Sequence, residues 1–419
     1  MTSRERVQTA LDHRSPDRVP VDFDGTAVTG MHASVVEQLR KHYGLSDDLV
    51  KVHEPFQCLG RIEPDLAQIL GVDVLAANGP STFFGFRNEN WKEWVTPWGQ
   101  TVLIPGQMNL TTDPAGVILL YPEGDRTAPP SAKMPNNGYF FDAIIRQDPL
   151  PADDELTAED NLEEFKPITQ ETLEHVRTQA QLNRDRGAYT MTNVGGTGLG
   201  DIALVPAPFM KHPKGIRDVA EWYMSTVARK DLVNEIFERQ YEIAIQNLAR
   251  LNDFCGELID AIFICGTDFG TQDSQFCSAA TFRDLYHPHY RKLNDWVHRN
   301  TQWKTFKHCC GSIPNFIPLL IDAGFDILNP VQTSAKGMDP AWLKREFGRD
   351  ITFWGGGVDT QQVLPFGTPD EVRSEVLRKL EILSPGGGYV FNAIHNVQAR
   401  SPVENVVAMI EAVQEFNGG

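Results

Sequence analysis

The stretch Lys304-Thr305-Phe306-Lys307-His308-Cys309-Cys310-Gly311 shows the type of unit from which this chain is built. A short strand-like run, residues 304–308, ends in polar side chains and a glycine, and a helical pattern follows further along the chain. Seven more strand-like runs recur, at residues 19–23, 72–75, 189–193, 261–265, 325–329, 351–354 and 389–392. Helical periodicity occupies several of the intervals, at residues 233–251, 282–297, 369–383 and 403–416.

The alternation of strands and helices predicts an α/β fold with parallel strands joined by right-handed crossovers. Eight such units close a (β/α)8 TIM barrel, and we predict one barrel domain over residues 1–419. If an end strand is overpredicted, the alternative is an open sheet of six or seven strands. Residues 84–165 break the rhythm, since they are rich in Trp, Pro, Gly, Asn and Asp. We predict that they form an insertion between the second and third units, part hairpin and part loop.

The composition limits the partners of the protein. The chain has 38 basic and 56 acidic residues, and its formal net charge is −18. We therefore expect neither nucleic acid nor a membrane as a partner, because both call for a basic face. The polar start at residues 1–6 lacks a signal-peptide pattern, and the six cysteines are unevenly spaced. We expect a cytoplasmic protein with reduced thiols, and a homodimer is one expected state because exposed barrel sides often pair.

Polar side chains follow most of the predicted strands. In a barrel the catalytic groups collect at the C-terminal ends of the strands, so these residues are expected to share one mouth. In chain order they are Asp22 and Asp24; Asn193; Asp268 and Gln272; His308 and Cys310; Asn329 and Gln332; Asp359; and Asn392 and His395.

His308 and Cys310 form a candidate metal site with His395. Residues two apart on an extended segment share a face, so His308 and Cys310 can point at one ion while Cys309 points away. A thiolate with imidazoles favours zinc, and catalytic zinc has three protein ligands and an open position. Because the fifth and eighth strands are not neighbours, His395 must reach across the mouth. The alternatives are a packed core pair, or a Cys/His nucleophile pair without a clear third member.

Several other residues have both a functional and a structural interpretation. Asp268 and Gln272 could orient a substrate or a metal ligand, but Asp268 also suits a turn. Asp24 precedes a glycine and has the same turn alternative, whereas Asp359 could cap the next helix. His287-Pro288-His289 looks like a pair of metal ligands, yet we predict a plain loop there because the proline would splay the two rings.

Several segments resemble the uroporphyrinogen decarboxylase superfamily, most closely its branch of zinc-dependent, corrinoid-linked methyltransferases. The resemblance runs over nearly the whole chain and implies a (β/α)8 barrel. The segments that carry it are Arg4-Glu5-Arg6 to Asp17-Arg18-Val19-Pro20; His308-x-Cys310-Gly311; Gly356-Gly357-Val358-Asp359-Thr360 with Gly367-Thr368-Pro369-Asp370-Glu371-Val372; and Pro402-x-Glu404-Asn405.

The chain differs from both branches that it resembles. The methyltransferases bind zinc through H-x-C and a later Cys, and His395 stands at that later position here, as in the F-N-x-x-H element of the decarboxylases. The decarboxylases hold porphyrinogen carboxylates with an Arg-rich motif, but residues 19–29 contain no arginine. The chain also lacks the D-x-H-x-x-G motif of corrinoid carriers, so the resemblance implies that a corrinoid (cobalamin) arrives on a separate partner protein.

Three functions follow as hypotheses. The first is a zinc-dependent methyltransferase that moves a methyl group between a small thiol, methyl ether or methylamine-like substrate and the corrinoid protein. Asp268 would act in catalysis, and Asn193, Gln272, Asn329, Asp359 and Asn392 would contact the substrate. The second is a metal-free decarboxylase or lyase acting on a non-porphyrin substrate, with His395 as general acid and Asp24 stabilising a cationic intermediate. The third is a non-catalytic barrel that binds a small ligand.

Overall fold

The computed structural model describes residues 1–153, 155–162 and 165–418. Its strands are β1 (Val52–Glu54), β2 (Leu59–Gly60), β3 (Val74–Ala76), β4 (Lys92–Val95), β5 (Thr101–Ile104), β6 (Leu110–Thr112), β7 (Ile118–Leu120), β8 (Ala132–Met134), β9 (Asp142–Ala143), β10 (Tyr189–Thr192), β11 (Ala261–Cys265), β12 (Lys304–His308), β13 (Ile327–Asn329), β14 (Thr352–Trp354) and β15 (Tyr389–Val390). Its α-helices are α1 (Ser3–Leu11), α2 (Ala33–His42), α3 (Pro64–Leu70), α4 (Gln170–Asp185), α5 (Val219–Ala228), α6 (Lys230–Cys255), α7 (Ala279–Thr281), α8 (His287–Asn300), α9 (Ile317–Asp322), α10 (Pro340–Phe347), α11 (Val363–Phe366), α12 (Pro369–Leu383) and α13 (Val403–Phe416).

Seven strands form one parallel sheet in the order β15-β14-β13-β12-β11-β10-β3. The sheet curls, and the segment around Val21 lies between its two edges. On one side Val21 pairs with Phe391, and the Asp22 N–H donates to the Phe391 carbonyl over 2.9 Å. On the other side the Asp73 N–H donates to the Val21 carbonyl over 2.8 Å. The curled parallel sheet with alternating helices is TIM-barrel-like, which confirms the predicted fold class.

The first predicted strand forms a single bridge instead of a ladder. Pro20 has no N–H to offer a neighbouring strand. The Val21 N–H donates to the Asp73 carboxylate over 2.9 Å, so it is not available to a backbone carbonyl. The prediction of a full strand at residues 19–23 was therefore wrong, although the segment lies where an eighth strand belongs.

Side chains from all seven strands fill the inside of the curled sheet. They form a cluster separate from the main core, and two residues of α1 complete it at the N-terminal end of the strands. Each large apolar side chain buried in this way stabilises the fold by roughly 1.5–3 kcal/mol. The members are Val7, Leu11, Val74, Tyr189, Met191, Ala261, Phe306, Ile327, Trp354 and Val390.

Three aspartates tie neighbouring strands together at the N-terminal end of the barrel. Each one stands just before a strand, and its carboxylate accepts a backbone N–H from the preceding strand or segment. Such carboxylates satisfy buried donors that would otherwise lack a partner. The pairs are Asp73 with Val21, Asp260 with Thr190 at 2.9 Å, and Asp326 with Thr305 at 2.8 Å.

Helices α12 and α13 begin and end where the pattern predicted. The start of α12 is fixed by a capping box, in which Thr368 and Glu371 bond reciprocally, and by Pro369 in the first turn. The prediction of a loop at residues 287–289 was wrong, because these residues form the first turn of α8. Pro288 is tolerated there because the first turn of a helix needs no N–H donor.

Two small antiparallel sheets, β4-β5 and β6-β7-β8-β9, lie along the chain between barrel strands β3 and β10. They fall within the range 84–165 for which the sequence predicts an insertion; the division into a barrel domain and an insertion stays a prediction. A further hairpin, β1-β2, precedes β3 and was not predicted. Among the described residues, no helix has the length and apolar character needed to cross a membrane.

The buried carboxyl of Asp22 predicts a pH dependence of stability. Trp354 Nε1 and the Gly25 N–H each donate to it over 2.8 Å, but burial dominates and raises the pKa of Asp22 to about 7. The unfolded chain ionises this group near pH 4. The free energy of unfolding should therefore fall as pH rises from about 4 to about 7, by at most about 4 kcal/mol, and should not change further above pH 7 through this group.

Urea unfolding of wild type and Asp22→Asn at pH 5 and pH 8 measures this difference. The asparagine keeps an acceptor for the indole but does not ionise, so the variant should lose a large part of the fall in stability. An equal pH dependence in both proteins would contradict the prediction.

Candidate metal centre

The structure brings the three predicted ligands together at the C-terminal mouth of the barrel. His308 ends β12, Cys310 lies two residues further along the chain, and His395 lies in the loop after β15. Their ligand atoms all lie within 4.8 Å of one another. Cys310 Sγ is 3.3 Å from His308 Nε2, and the two imidazole centroids are 5.6 Å apart. The ligands from non-neighbouring strands thus do reach across the mouth.

Asn329 fixes the orientation of the His308 ring. Strands β12 and β13 pair His308 with Asn329, and His308 Nδ1 lies 2.7 Å from Asn329 Oδ1. Asn329 Nδ2 donates to the Trp354 carbonyl over 2.9 Å, so its oxygen is the atom that faces the ring. Nδ1 therefore carries the proton, and the lone pair of Nε2 points towards Cys310. A partner of this kind on the outer nitrogen is typical of metal-bound histidines.

Burial sets the charge state of the cluster. It lowers the pKa of His308 in spite of the nearby Asp268 carboxylate, and it lowers the pKa of His395 to about 4, with His308 adding to the effect. Both rings are thus neutral near pH 7, which is the form that binds metals. Burial, reinforced by Asp268, raises the pKa of the Cys310 thiol, and a bound cation reverses that preference.

Asp268 lies directly beside the cluster. Its Oδ1 accepts the Cys310 N–H over 2.6 Å and lies 3.8 Å from His308 Nε2. Tyr223 donates its hydroxyl to the Asp268 carbonyl over 3.1 Å. The carboxylate thus holds the backbone that carries Cys310 and places a negative charge next to the candidate ligands.

The other predicted site residues have separate surroundings. Asn392 is buried and donates to the Asp22 carbonyl over 2.6 Å, and its Oδ1 has no partner among the residues that the structure describes. Gln272 donates to Gln361 over 2.7 Å, and the Gln361 N–H donates to Asp359 over 2.7 Å. Asn193 is exposed. Their contacts with a substrate stay predictions.

Asp24 does not join the metal cluster. Its Oδ1 lies 2.9 Å from Nε2 of His53, a residue of β1. His53 was not among the predicted site residues, because neither the hairpin that carries it nor its partner follows from the local pattern Val52-His53-Glu54.

The donor set fits a zinc ion. Two imidazole nitrogens and one thiolate are the ligands of a catalytic zinc site that keeps one position open. Tetrahedral zinc places such atoms about 3.5 Å apart, so separations of up to 4.8 Å need small side-chain rotations on binding. No other group of three such side chains meets the same spacing in the described part of the chain.

The fold and this cluster define a class: a parallel β/α barrel with a thiol–imidazole site at its mouth. The chain belongs to the uroporphyrinogen decarboxylase family, whose family model matches residues 158–416. A uroporphyrinogen decarboxylase of Methylococcus capsulatus is 32% identical over 102 residues, 24% of this chain and 27% of that protein. The enzyme of the same name from Coxiella burnetii is 28% identical over 79 residues, 19% of this chain and 21% of that protein.

These matches span only about a quarter of the length of the curated relatives. A solved structure named as a methyltransferase from Methanosarcina mazei covers 99% of both chains, with a TM-score of 0.54 and 14% identity. This similarity shows that the two proteins share a fold.

Lys307 is a buried cation next to the cluster, and no local pattern predicted its role. The residue has no exposed surface, and its Nζ donates to the carbonyls of Thr267 over 2.7 Å and Cys265 over 3.3 Å, and also to that of His308. The Phe269 ring centroid lies 5.3 Å away, which adds a cation–π contact. Lys307 thus joins the ends of β11 and β12, between Asp268 and His308.

Replacing Lys307 by methionine should destabilise the protein by at least about 2 kcal/mol, because three carbonyls lose a charged donor. The matched control is Lys304→Met, on the same strand, where the ammonium lies 3.5 Å from Asp326 and the side chain is 28% exposed. That change should cost less than about 1 kcal/mol. Urea unfolding of the three proteins measures both effects, and equal costs would contradict the assignment.

Proposed function

We propose that this protein is a zinc-dependent methyltransferase that moves a methyl group between a small substrate and a corrinoid on a separate protein. His308, Cys310 and His395 would hold the zinc. When bound, zinc supplies a Lewis acid for the heteroatom of a thiol, methyl ether or methylamine-like substrate. The observation that carries the proposal is the convergence of one sulfur and two nitrogen ligands within 4.8 Å at the barrel mouth.

The surroundings of the ligands support the same function. Asn329 holds the His308 ring with Nε2 directed to the site, and Asp268 holds the Cys310 backbone. Asp268 would act in catalysis by orienting the metal ligands and the substrate. The solved methyltransferase from Methanosarcina mazei shares the fold, and the activity in its name agrees with the proposal.

We also propose that this protein is cytoplasmic and that a separate protein carries the corrinoid. Within the chain we find no corrinoid-binding motif, so the corrinoid would be carried by a partner. All six cysteines are free, which agrees with a cytoplasmic location.

A metal-free decarboxylase is the second candidate, because the curated relatives are uroporphyrinogen decarboxylases. In that reaction His395 would donate a proton and Asp24 would stabilise positive charge. The two residues have different neighbours: His395 faces His308, while Asp24 contacts His53. The grouping of His395 with two further ligand atoms therefore favours the metal site.

We expect about one zinc per chain in wild type, and loss of that zinc in His308→Ala, Cys310→Ala and His395→Ala. Each change removes one of three ligands, and zinc is held weakly by the remaining two. Cys309→Ala is the matched control, since this buried thiol accepts the Phe269 N–H and faces away from the site. Elemental analysis after dialysis gives the stoichiometry. A wild type without zinc after reconstitution would contradict the proposal and favour the metal-free lyase.

Zinc-loaded protein should transfer methyl groups to free cob(I)alamin, followed by its absorbance, from at least one methyl ether, thioether or methylamine. Cys310→Ala should reduce the rate at least about 100-fold, because zinc and its Lewis acidity are lost. Cys309→Ala should react nearly as fast as wild type. A rate that does not depend on zinc, or release of CO₂ from a carboxylate substrate, would favour the alternative.

A further inference from the structure

A second group of titratable side chains lies at the barrel mouth, outside the metal cluster. His53 Nε2 and Asp24 Oδ1 are 2.9 Å apart, and both atoms are shielded from solvent. Neither atom bonds any further group among the described residues, so the contact between them is the one polar interaction that those residues give either atom. Asp24 also has a φ of 78°, in the left-handed region that non-glycine residues seldom adopt outside special sites.

The pair is fixed to the loop that carries His395. Asn396, the residue after His395, accepts the Gly30 N–H over 2.6 Å. It also donates to Gln57, in the β1-β2 turn, over 3.0 Å. The loop after Asp24 and the hairpin that carries His53 are thus both bonded to Asn396. His53 and Asp24 therefore lie at the same mouth as the metal cluster, at a neighbouring strand end.

The charges around His53 favour its protonated form. Burial favours the neutral ring, but the Asp24 carboxylate outweighs burial and raises the pKa of His53. Two further charged groups face the ring: Arg61, which opposes protonation, and Glu54, which favours it. The second ring nitrogen, Nδ1, makes no hydrogen bond within the described ranges, and the side chain is 24% exposed. One N–H is thus held at Asp24 while the other is open.

We propose that His53 and Asp24 form an acid–base pair that exchanges one proton with a small molecule bound at the barrel mouth. The Nδ1–H bond of the imidazolium breaks, its electron pair stays on the ring, and the proton passes to a heteroatom of that molecule. Nε2 keeps its hydrogen at Asp24, so the ring ends neutral and correctly oriented. The reverse transfer restores the imidazolium.

The identity of the proton acceptor rests on the proposed function. In methyl transfer the acceptor is the heteroatom that loses the methyl group. The electron pair of the broken bond stays on that heteroatom, which takes the proton from His53. A reduced corrinoid would supply the electron pair for the new bond to the methyl carbon. His53 would therefore act on the leaving group in the methyl-donating direction.

The test is the pH dependence of methyl transfer to cob(I)alamin between pH 5 and 9, in zinc-loaded protein. His53→Gln should lower kcat about 100-fold and remove the decline in rate that accompanies deprotonation of the ring. Asp24→Asn should move that decline to lower pH, because the carboxylate charge is gone. Zinc content should stay at the wild-type level in both variants. The control is His42→Gln, an exposed histidine of α2, which should behave as wild type.

His53→Gln with the wild-type rate and pH profile would overturn the proposal. If wild type transfers no methyl group, the proposed function fails, and the acid–base pair is then decided by NMR titration of ¹³C-labelled histidine. The resonance of His53 is identified by its absence from the spectrum of His53→Gln. Its pKa should lie above the usual value near 6.5 and should be lower in Asp24→Asn. An unshifted ring, or one insensitive to Asp24→Asn, would overturn the pair independently of any activity.

Discussion

The mouth of this barrel depends on how its sheet closes. A parallel sheet of seven strands leaves two edges unsatisfied, and the segment around Val21 fills the gap by bonding to Phe391 on one side and Asp73 on the other. The closure places the loop that begins at Asp24 beside the loop that carries His395. It also places Asp22 against the indole of Trp354, inside the barrel. Without closure the mouth would be an open groove.

Burial is the second constraint: it favours the neutral ring at both groups of the mouth, but the net result differs between them. At the metal cluster it keeps His308 and His395 neutral, which leaves their lone pairs free for a cation. At His53 the Asp24 carboxylate, which contacts the ring directly, outweighs burial and raises the pKa of the histidine. The difference lies in the partner: His308 has an uncharged amide at its outer nitrogen, whereas His53 has Asp24. Under the two proposals, one mouth would hold Lewis-acid and proton-transfer chemistry side by side.

Local patterns predicted those parts of the structure that local physics decides. Strands β11 and β12 and helices α12 and α13 were predicted to the residue, because apolar periodicity and the Thr368–Glu371 cap act within the segment. The i and i+2 geometry of His308 and Cys310 is local too. The rest needs tertiary contacts. The single bridge at Val21 depends on a carboxylate 52 residues away. Lys307 is buried, with its ammonium over the rings of Phe269 and Tyr290, which come from other parts of the chain.

The bond from Asn392 to the Asp22 carbonyl joins residues 370 positions apart. A ribosome delivers the amino-terminal segment long before the last strand exists, so the barrel cannot close during most of synthesis. Val21 can bond to Asp73 early, but the other side of that segment stays unpaired until Phe391 has been made, and an unpaired edge invites other strands to dock. Contacts of such long range also slow folding after release. Pairing of the first segment with Phe391 and Asn392 is therefore a late event that removes an exposed sheet edge.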